Sequence, residues 1–379
     1  MLAGPGVHPL WCAQRCLRCR VLALRGKPSA GGRMTSTLAG LLRTELPIIL
    51  GPFGGLSSIE LTSTVSNGGG LGSYGLYGYT AQRIRETDEL LKGATDRSFA
   101  FNLWLPSDEE RDPSPTDFAH ARAAVAEIFA ELELPLPERP ERFLPPFDEQ
   151  IEAVLECAPA AVSFVYGVPA ASVIHRAHAL GTTVIGTATT VDEAIALQAG
   201  GVDVIVATGS EAAGHRVSFL ESAEQSLVGT FALVPQVVDA VSVPIVAAGG
   251  IADRRGVAAA FALGADGVQV GTAFLRTRQS AASDAHRRAI DETLAHGTVL
   301  TRAMSGRLAR GAPNRATRLI EAANAIASFP AQNWLTGQFR AEAGRRGIGD
   351  LQSLWLGQAG RMAKFDDAVD LLTELRLGL

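Results

Sequence analysis

Between Pro47 and Ala273 the sequence repeats one pattern: a short, almost uninterrupted apolar run ending in Gly, Thr or Asn, then an Ala-rich stretch of helical period. The runs are PIILG (47–51), GLGSY (70–74), FAFNLW (99–104), AVSFVYG (161–167), TTVIGTAT (182–189), VDVIVATG (202–209), VPIVAAGG (243–250) and DGVQVGTA (266–273). Between most of them lie stretches such as AASVIHRAHAL (170–180), VDEAIALQAG (191–200), TFALVPQVVDAV (230–241) and RRGVAAAFALG (254–264). Strands apolar on both faces belong to a parallel sheet covered by helices on each side. Eight strand–helix units are the number that closes an α/β TIM barrel, (β/α)8. A doubly wound open sheet is the competing architecture, and no G-x-G-x-x-G follows the first run to support it.

Two segments break the repeat. Residues 106–149 are Pro-rich and acidic, with one helix predicted around Asp117–Leu132, and read as an insertion at the barrel mouth after the third strand. From Gly297 onward the chain is helical and Arg-rich, broken by GAPN, FPAQNW and GRRGIGD, which predicts a small helical cap or lid whose last helix packs back on the barrel. The expected division is a leader at 1–33, a cofactor-binding TIM barrel at 34–296 carrying the insertion, and a cap with a C-terminal tail at 297–379. The leader holds Cys12, Cys16 and Cys19 in the run CAQRCLRC, a spacing that suits three irons of a [4Fe–4S] cluster. Its Arg-, Pro- and Gly-rich flanks favour instead a disordered leader, an organelle transit peptide, or translation starting at Met34. A net charge of −5 with no basic stripe speaks against a nucleic-acid partner. No run approaches the roughly 18 apolar residues of a membrane span. The expectation is a cytoplasmic protein, with homodimerisation left open.

Small residues cluster where the strands end. VAAGGIAD (246–253) and VGTAFL (270–275) follow the seventh and eighth runs and lead into helices. Gly249, Gly250, Gly271 and Thr272 leave their backbone N–H groups unobstructed beside helix N-termini, which attract anions. The loops after strands seven and eight form the recurrent phosphate site of TIM barrels. Gly51, Pro52, Gly54 and Gly55, Asn102, and Thr208–Gly209 make room at other strand ends for a flat ligand, and flavin mononucleotide (FMN) is such a ligand. After the sixth run, IVATGSEAAGHRVS (205–218) is stripped of bulk up to Gly214 and His215. Lysine occurs only at Lys27, Lys92 and Lys364, so no strand end carries one. Arg216 is either a partner for reduced flavin or a salt-bridged surface group. No metal site is expected.

GPFGG, FAFNLWLP, SFVYGVP, GSEAAGHR, GTFALVPQVVDAVSVPIVAAGGIAD and GVQVGTAFL, with LTRAMSGRLARG beyond them, together resemble the nitronate monooxygenase (2-nitropropane dioxygenase) family from about Pro47 to Gly311. The resemblance implies an FMN-dependent TIM barrel that oxidises alkyl nitronates with dioxygen. It places Gly249, Gly250, Gly271 and Thr272 on the FMN phosphate. Gly54, Gly55, Asn102, Thr208 and Gly214 lie along the flavin, and His215 is the active-site histidine. LWLGQAG resembles a flavin-side tail motif, which adds Gly357 and Gln358. Three positions depart from the family: Thr208 replaces a usual Gln, Ala213 a Gly, and Tyr166 a frequent His.

A nitronate carries its charge on the nitro oxygens. His215 could donate a hydrogen bond to that anion or, if a neutral nitroalkane binds, remove its α-proton; an unperturbed imidazole near pKa 6.5 can do either. Other expectations stay open: an NAD(P)H:quinone reductase or an FMN-dependent enoyl reductase on the same scaffold, and a flavin-binding paralogue without activity.

Overall fold

The computed structural model describes residues 37–107 and 112–379; the leader cysteines and Met34 lie outside the described residues. Eight parallel strands form the central sheet: β1 (Ile48–Leu50), β2 (Gly72–Gly75), β3 (Phe99–Trp104), β4 (Ala161–Val165), β5 (Thr183–Ala188), β6 (Val204–Thr208), β7 (Ile245–Ala248) and β8 (Gly267–Val270). Their spatial order is β1-β8-β7-β6-β5-β4-β3-β2. The ring closes between β1 and β2, where Leu50 N–H donates to Leu71 O and Leu71 N–H to Ile48 O, both at 2.9 Å. The fold is a TIM barrel, and the open-sheet alternative is excluded by that closure.

The near-continuous apolar runs are explained by two buried faces. Along β3, Phe99, Phe101 and Leu103 pack outward with the helices' core, while Ala100 joins Ile49, Leu71, Ala161, Ile185, Val206 and Val246 inside the ring. Burying each large side chain contributes roughly 1.5–3 kcal/mol. Leu38 and Leu42, from helix Thr37–Leu42, fill the interior at the N-terminal end of the strands. Two residues further along the inward face, the period of two brings Asn102, Ser163, Thr187, Thr208 and Gln269 to the opposite end. There the interior turns polar.

A second hydrophobic core lies outside the barrel. Phe118, Ile128 and Phe129 come from helices Pro115–Ala124 and Ala126–Glu131 of the 106–149 segment. They pack with Ile320, Leu335 and Phe339 from helices Arg315–Ala323 and Ala331–Arg345. Phe129 and Phe339 meet edge to face at 5.8 Å. The chain then leaves this core: Leu356 and, on helix Ala368–Arg376, Leu371, Leu372 and Leu375 belong to the barrel core. A small antiparallel sheet of Gly214–His215, Val299–Thr301 and Ala309–Gly311 ties the loop after β6 to the C-terminal segment, with His215 paired to Ala309. Among the described residues no helix is long and apolar enough to cross a membrane.

Candidate active site

At the C-terminal end of the strands lies a cavity of about 870 Å³. Its floor is the polar layer of Asn102, Ser163, Thr187, Thr208 and Gln269. Asn102 is buried and donates from Nδ2 to Ser163 Oγ at 2.9 Å, so its amide is oriented rather than free to rotate. Thr208, paired with Ala248 in register, sits at the same level, its side chain buried beneath the cavity. Sequence inspection singled out Asn102 and Thr208 but not Ser163, Thr187 or Gln269. Their signal was a polar residue at an inward position late in an apolar strand.

One wall is built for close approach. Gly249 and Gly250 adopt φ of +97° and +76°, a region that side chains disfavour. A Cβ on Gly249 would stand 3.1 Å from Ala212 N and from Thr230 Oγ1. Among the turn and loop hydrogen bonds, none is donated by the N–H of Gly249, Gly250 or Gly271. Gly271 and Thr272 open helix Thr272–Arg276. Gly54, Gly55 and Gly214 also line the cavity, and so does Gly357, whose N–H donates to Thr272 Oγ1 at 3.0 Å. Gln358 stands beside this wall, its N–H donated to Glu211 O at 3.0 Å, and its side chain is not among those lining the cavity.

His215 faces the cavity between two indoles: Trp104 lies edge-on at 4.9 Å and Trp355 tilts against it at 5.5 Å. Its Nε2 is 2.8 Å from Ser305 Oγ. Ser305 has one proton to give, and its hydroxyl donates to Arg307 O at 3.1 Å. With that proton on Arg307 O, Nε2 is the donor, and Nδ1 makes no hydrogen bond among the described residues. Burial, then the charges of Arg307 and Arg340, push the imidazole pKa down to about 3. The ring retains a partly accessible face toward the cavity, which softens the desolvation without reversing it. At neutral pH it is uncharged.

The neighbouring arginines divide into distinct jobs. Arg216 is neither a flavin-facing cation nor a surface group. It is buried and donates to the carbonyls of Gly209 at 2.7 Å and Thr208 at 3.1 Å, bracing the loop that carries His215. Glu193, fully buried, holds the far side of that loop by accepting from Phe219 N–H at 2.6 Å. Arg307 lies over the rings of Tyr166 and Phe329, at 3.8 and 4.1 Å from their centroids. Tyr166 has φ of +71°, a strained conformation for a bulky residue, at the start of the loop after β4. Ser305, Arg307, Arg340 and Trp355 were missed as site residues. They sit in segments with no strand-end signature and reach the barrel mouth only because the C-terminal segment folds over it.

A TIM barrel with a polar-floored cavity at the C-terminal mouth is an enzyme framework, since such barrels place their chemistry at that end. Comparison with known proteins narrows the class. The nitronate monooxygenase family model matches residues 35–378. A probable nitronate monooxygenase of Staphylococcus saprophyticus is 38% identical over 343 residues, spanning 90% of this chain and 96% of its own. A second, from Staphylococcus aureus, is 38% identical over 340 residues, spanning 89% and 95%. Among solved structures, a nitroalkane oxidase from Streptomyces ansochromogenes superposes with a TM-score of 0.82 at 35% identity, covering 90% of this chain and 97% of its own. FabK from Thermotoga maritima gives 0.71 at 26% identity, covering 91% and 96%. The chain belongs to the nitronate monooxygenase family, and it is an oxidoreductase.

Proposed function

We propose that this protein is an FMN-dependent enzyme that oxidises alkyl nitronates with dioxygen, yielding a carbonyl compound and nitrite. The observation that carries the reading is the wall of Gly249, Gly250 and Gly271, with backbone N–H groups unused by the turns and a Cβ at Gly249 crowded at 3.1 Å. Backbone donors beside a helix N-terminus suit a phosphate. The residues present fit the cofactor: Gly249, Gly250, Gly271 and Thr272 would hold its phosphate. Gly54, Gly55, Asn102, Thr208 and Gly214 would stand along the rest, with Gln269 added from the cavity floor, while Gln358, outside the lining, would only support the wall through its bond to Glu211 O. When bound, FMN supplies the electron acceptor for the substrate carbon and passes the electrons to dioxygen.

The protein's part is to bind, orient and move a proton. Neutral His215, with Nε2–H on Ser305, has the free lone pair that the base role requires and a charged anion holder lacks, and the negative charge developing on a bound substrate would raise the low basicity that burial imposes on it. With a neutral nitroalkane, Nδ1 accepts the α-proton, and the field of Arg307 and Arg340 that depresses the imidazole also stabilises the developing nitronate. Trp104, Trp355 and Tyr77 line the cavity and restrict water around the reacting carbon.

Purified protein should be yellow, bleach anaerobically with propionate-3-nitronate and recover its colour in air, while NADH reduces it poorly. His215→Asn should keep the colour and lose turnover of nitroalkane by about 10²–10⁴-fold. A colourless protein after reconstitution with FMN, or fast bleaching by NADH with reoxidation by a quinone, would overturn the assignment.

A further inference from the structure

Arg340 sits on helix Ala331–Arg345 and contributes to the cavity wall. Its Nη1 donates to Ser353 Oγ, and its Nη2 donates to Asn333 O at 3.0 Å and Asn333 Oδ1 at 2.7 Å. Three of the five guanidinium N–H groups are thus engaged with neutral acceptors, and Nε is buried with no acceptor at all. No Asp or Glu forms an ion pair with it among the described residues. Arg276, by contrast, carries both Asp291 and Asp366. Desolvation drives the Arg340 pKa down to about 10, still well above neutrality, so the group is a cation. The residue is half-buried, and a charge drawn out of water without a counter-charge carries a desolvation cost. Asn333, which fixes Arg340, also donates from Nδ2 to Tyr77 Oη at 2.9 Å, so the cation is locked in place rather than left to swing out.

We propose that Arg340 is the oxyanion receptor of this cavity: it supplies the counter-charge to the nitro oxygens of the nitronate while His215 handles the proton. This rests on the nitronate reading above and adds the residue that recognises the substrate's charge. The two roles have to be separate, because an imidazole that stays neutral gives no counter-charge. Nε is closed off from the cavity, which leaves one Nη1 N–H to meet an oxygen of a planar O–N–O group while the cation balances its charge. The ligand class selected is a small planar oxyanion.

The FMN-loaded full-length protein is titrated with acetate and with acetamide, a matched anion and neutral isostere, following the flavin absorbance and competition against ethyl nitronate. Wild type should bind acetate at least tenfold more tightly than acetamide. Arg340→Met should abolish that preference and raise KM for ethyl nitronate by roughly 10- to 100-fold, the range of a lost charged hydrogen bond, with a smaller change in kcat. Arg340→Lys should retain part of the preference. Equal binding of acetate and acetamide by wild type, or an unchanged preference in Arg340→Met, would overturn the proposal; the wild-type comparison decides alone if Arg340→Met does not fold. Failure of wild type to bind FMN or to turn over ethyl nitronate would sink the nitronate reading instead.

Discussion

Replacing Gly249 by Ala tests the phosphate wall directly. The backbone there has φ of +97°, where a side chain costs about 1–2 kcal/mol. The added Cβ would also meet Ala212 N and Thr230 Oγ1 at 3.1 Å and Gly209 O at 3.2 Å. Those neighbours cannot easily yield. Two are backbone, and the Thr230 hydroxyl is held by Glu211 Oε2 at 2.9 Å and Gly249 O at 3.0 Å. The turn must therefore shift by a few tenths of an ångström, pulling its N–H groups off the phosphate. Losing one or two charged hydrogen bonds corresponds to about 10–100-fold weaker FMN binding. The control is Gly181→Ala, where φ is +72° but no atom lies within 4 Å of the new Cβ. Gly181 precedes β5 at the opposite end of the barrel. Both variants should lose about 1–2 kcal/mol of stability by thermal unfolding, and only Gly249→Ala should weaken FMN, measured by quenching of its fluorescence. Equal FMN affinity in the two variants would refute the reasoning.

Ser305→Ala removes the acceptor for His215 Nε2–H and leaves a buried donor unmatched, a penalty of about 1–3 kcal/mol. Turnover of neutral nitroalkanes should fall by roughly 10–100-fold, with a smaller loss for preformed nitronates, which need no proton removal; equal losses would remove Ser305 from the proton step. His215 and His286 have pKa values held below the ordinary 6.5, at about 3 and about 4, chiefly by burial. The unfolded chain binds their protons first, so their contribution is present above pH 6.5 and is lost as pH falls toward those values. His215→Asn and His286→Asn should each flatten the decline of melting temperature between pH 6.5 and 4.5. In the second core, Phe339→Ala should cost about 3–5 kcal/mol, measured by urea unfolding, because a fully buried ring is lost from its contact with Phe129.

The barrel was legible because its signal is local. A strand buried on both faces needs continuous apolar residues, and each strand–helix unit repeats that demand, so the chain order of β1 to β8 could be read directly. The glycine pair at 249–250 was legible for a similar reason: left-handed backbone followed by a helix start restricts residue type within a few positions. His215 stood out by the loss of bulk before it. The C-terminal side of the site was harder to read. LTRAMSGRLARG contains Ser305 and Arg307, and FPAQNW precedes Arg340, yet neither stretch has a periodicity that points to a cavity.

Sequence alone thus determined the eight-strand register of apolar runs, the placement of small residues at the strand ends, and the family. Tertiary structure decided which nitrogen of His215 carries the proton, the charge state of that ring, and the burial of Arg216 beneath the loop. The first two depend on Ser305, Arg307 and Arg340, which lie 90, 92 and 125 residues beyond His215 in the chain. Hydrogen-bond direction and desolvation are properties of the surroundings in space, and a chain's local pattern does not encode which distant segment will supply them.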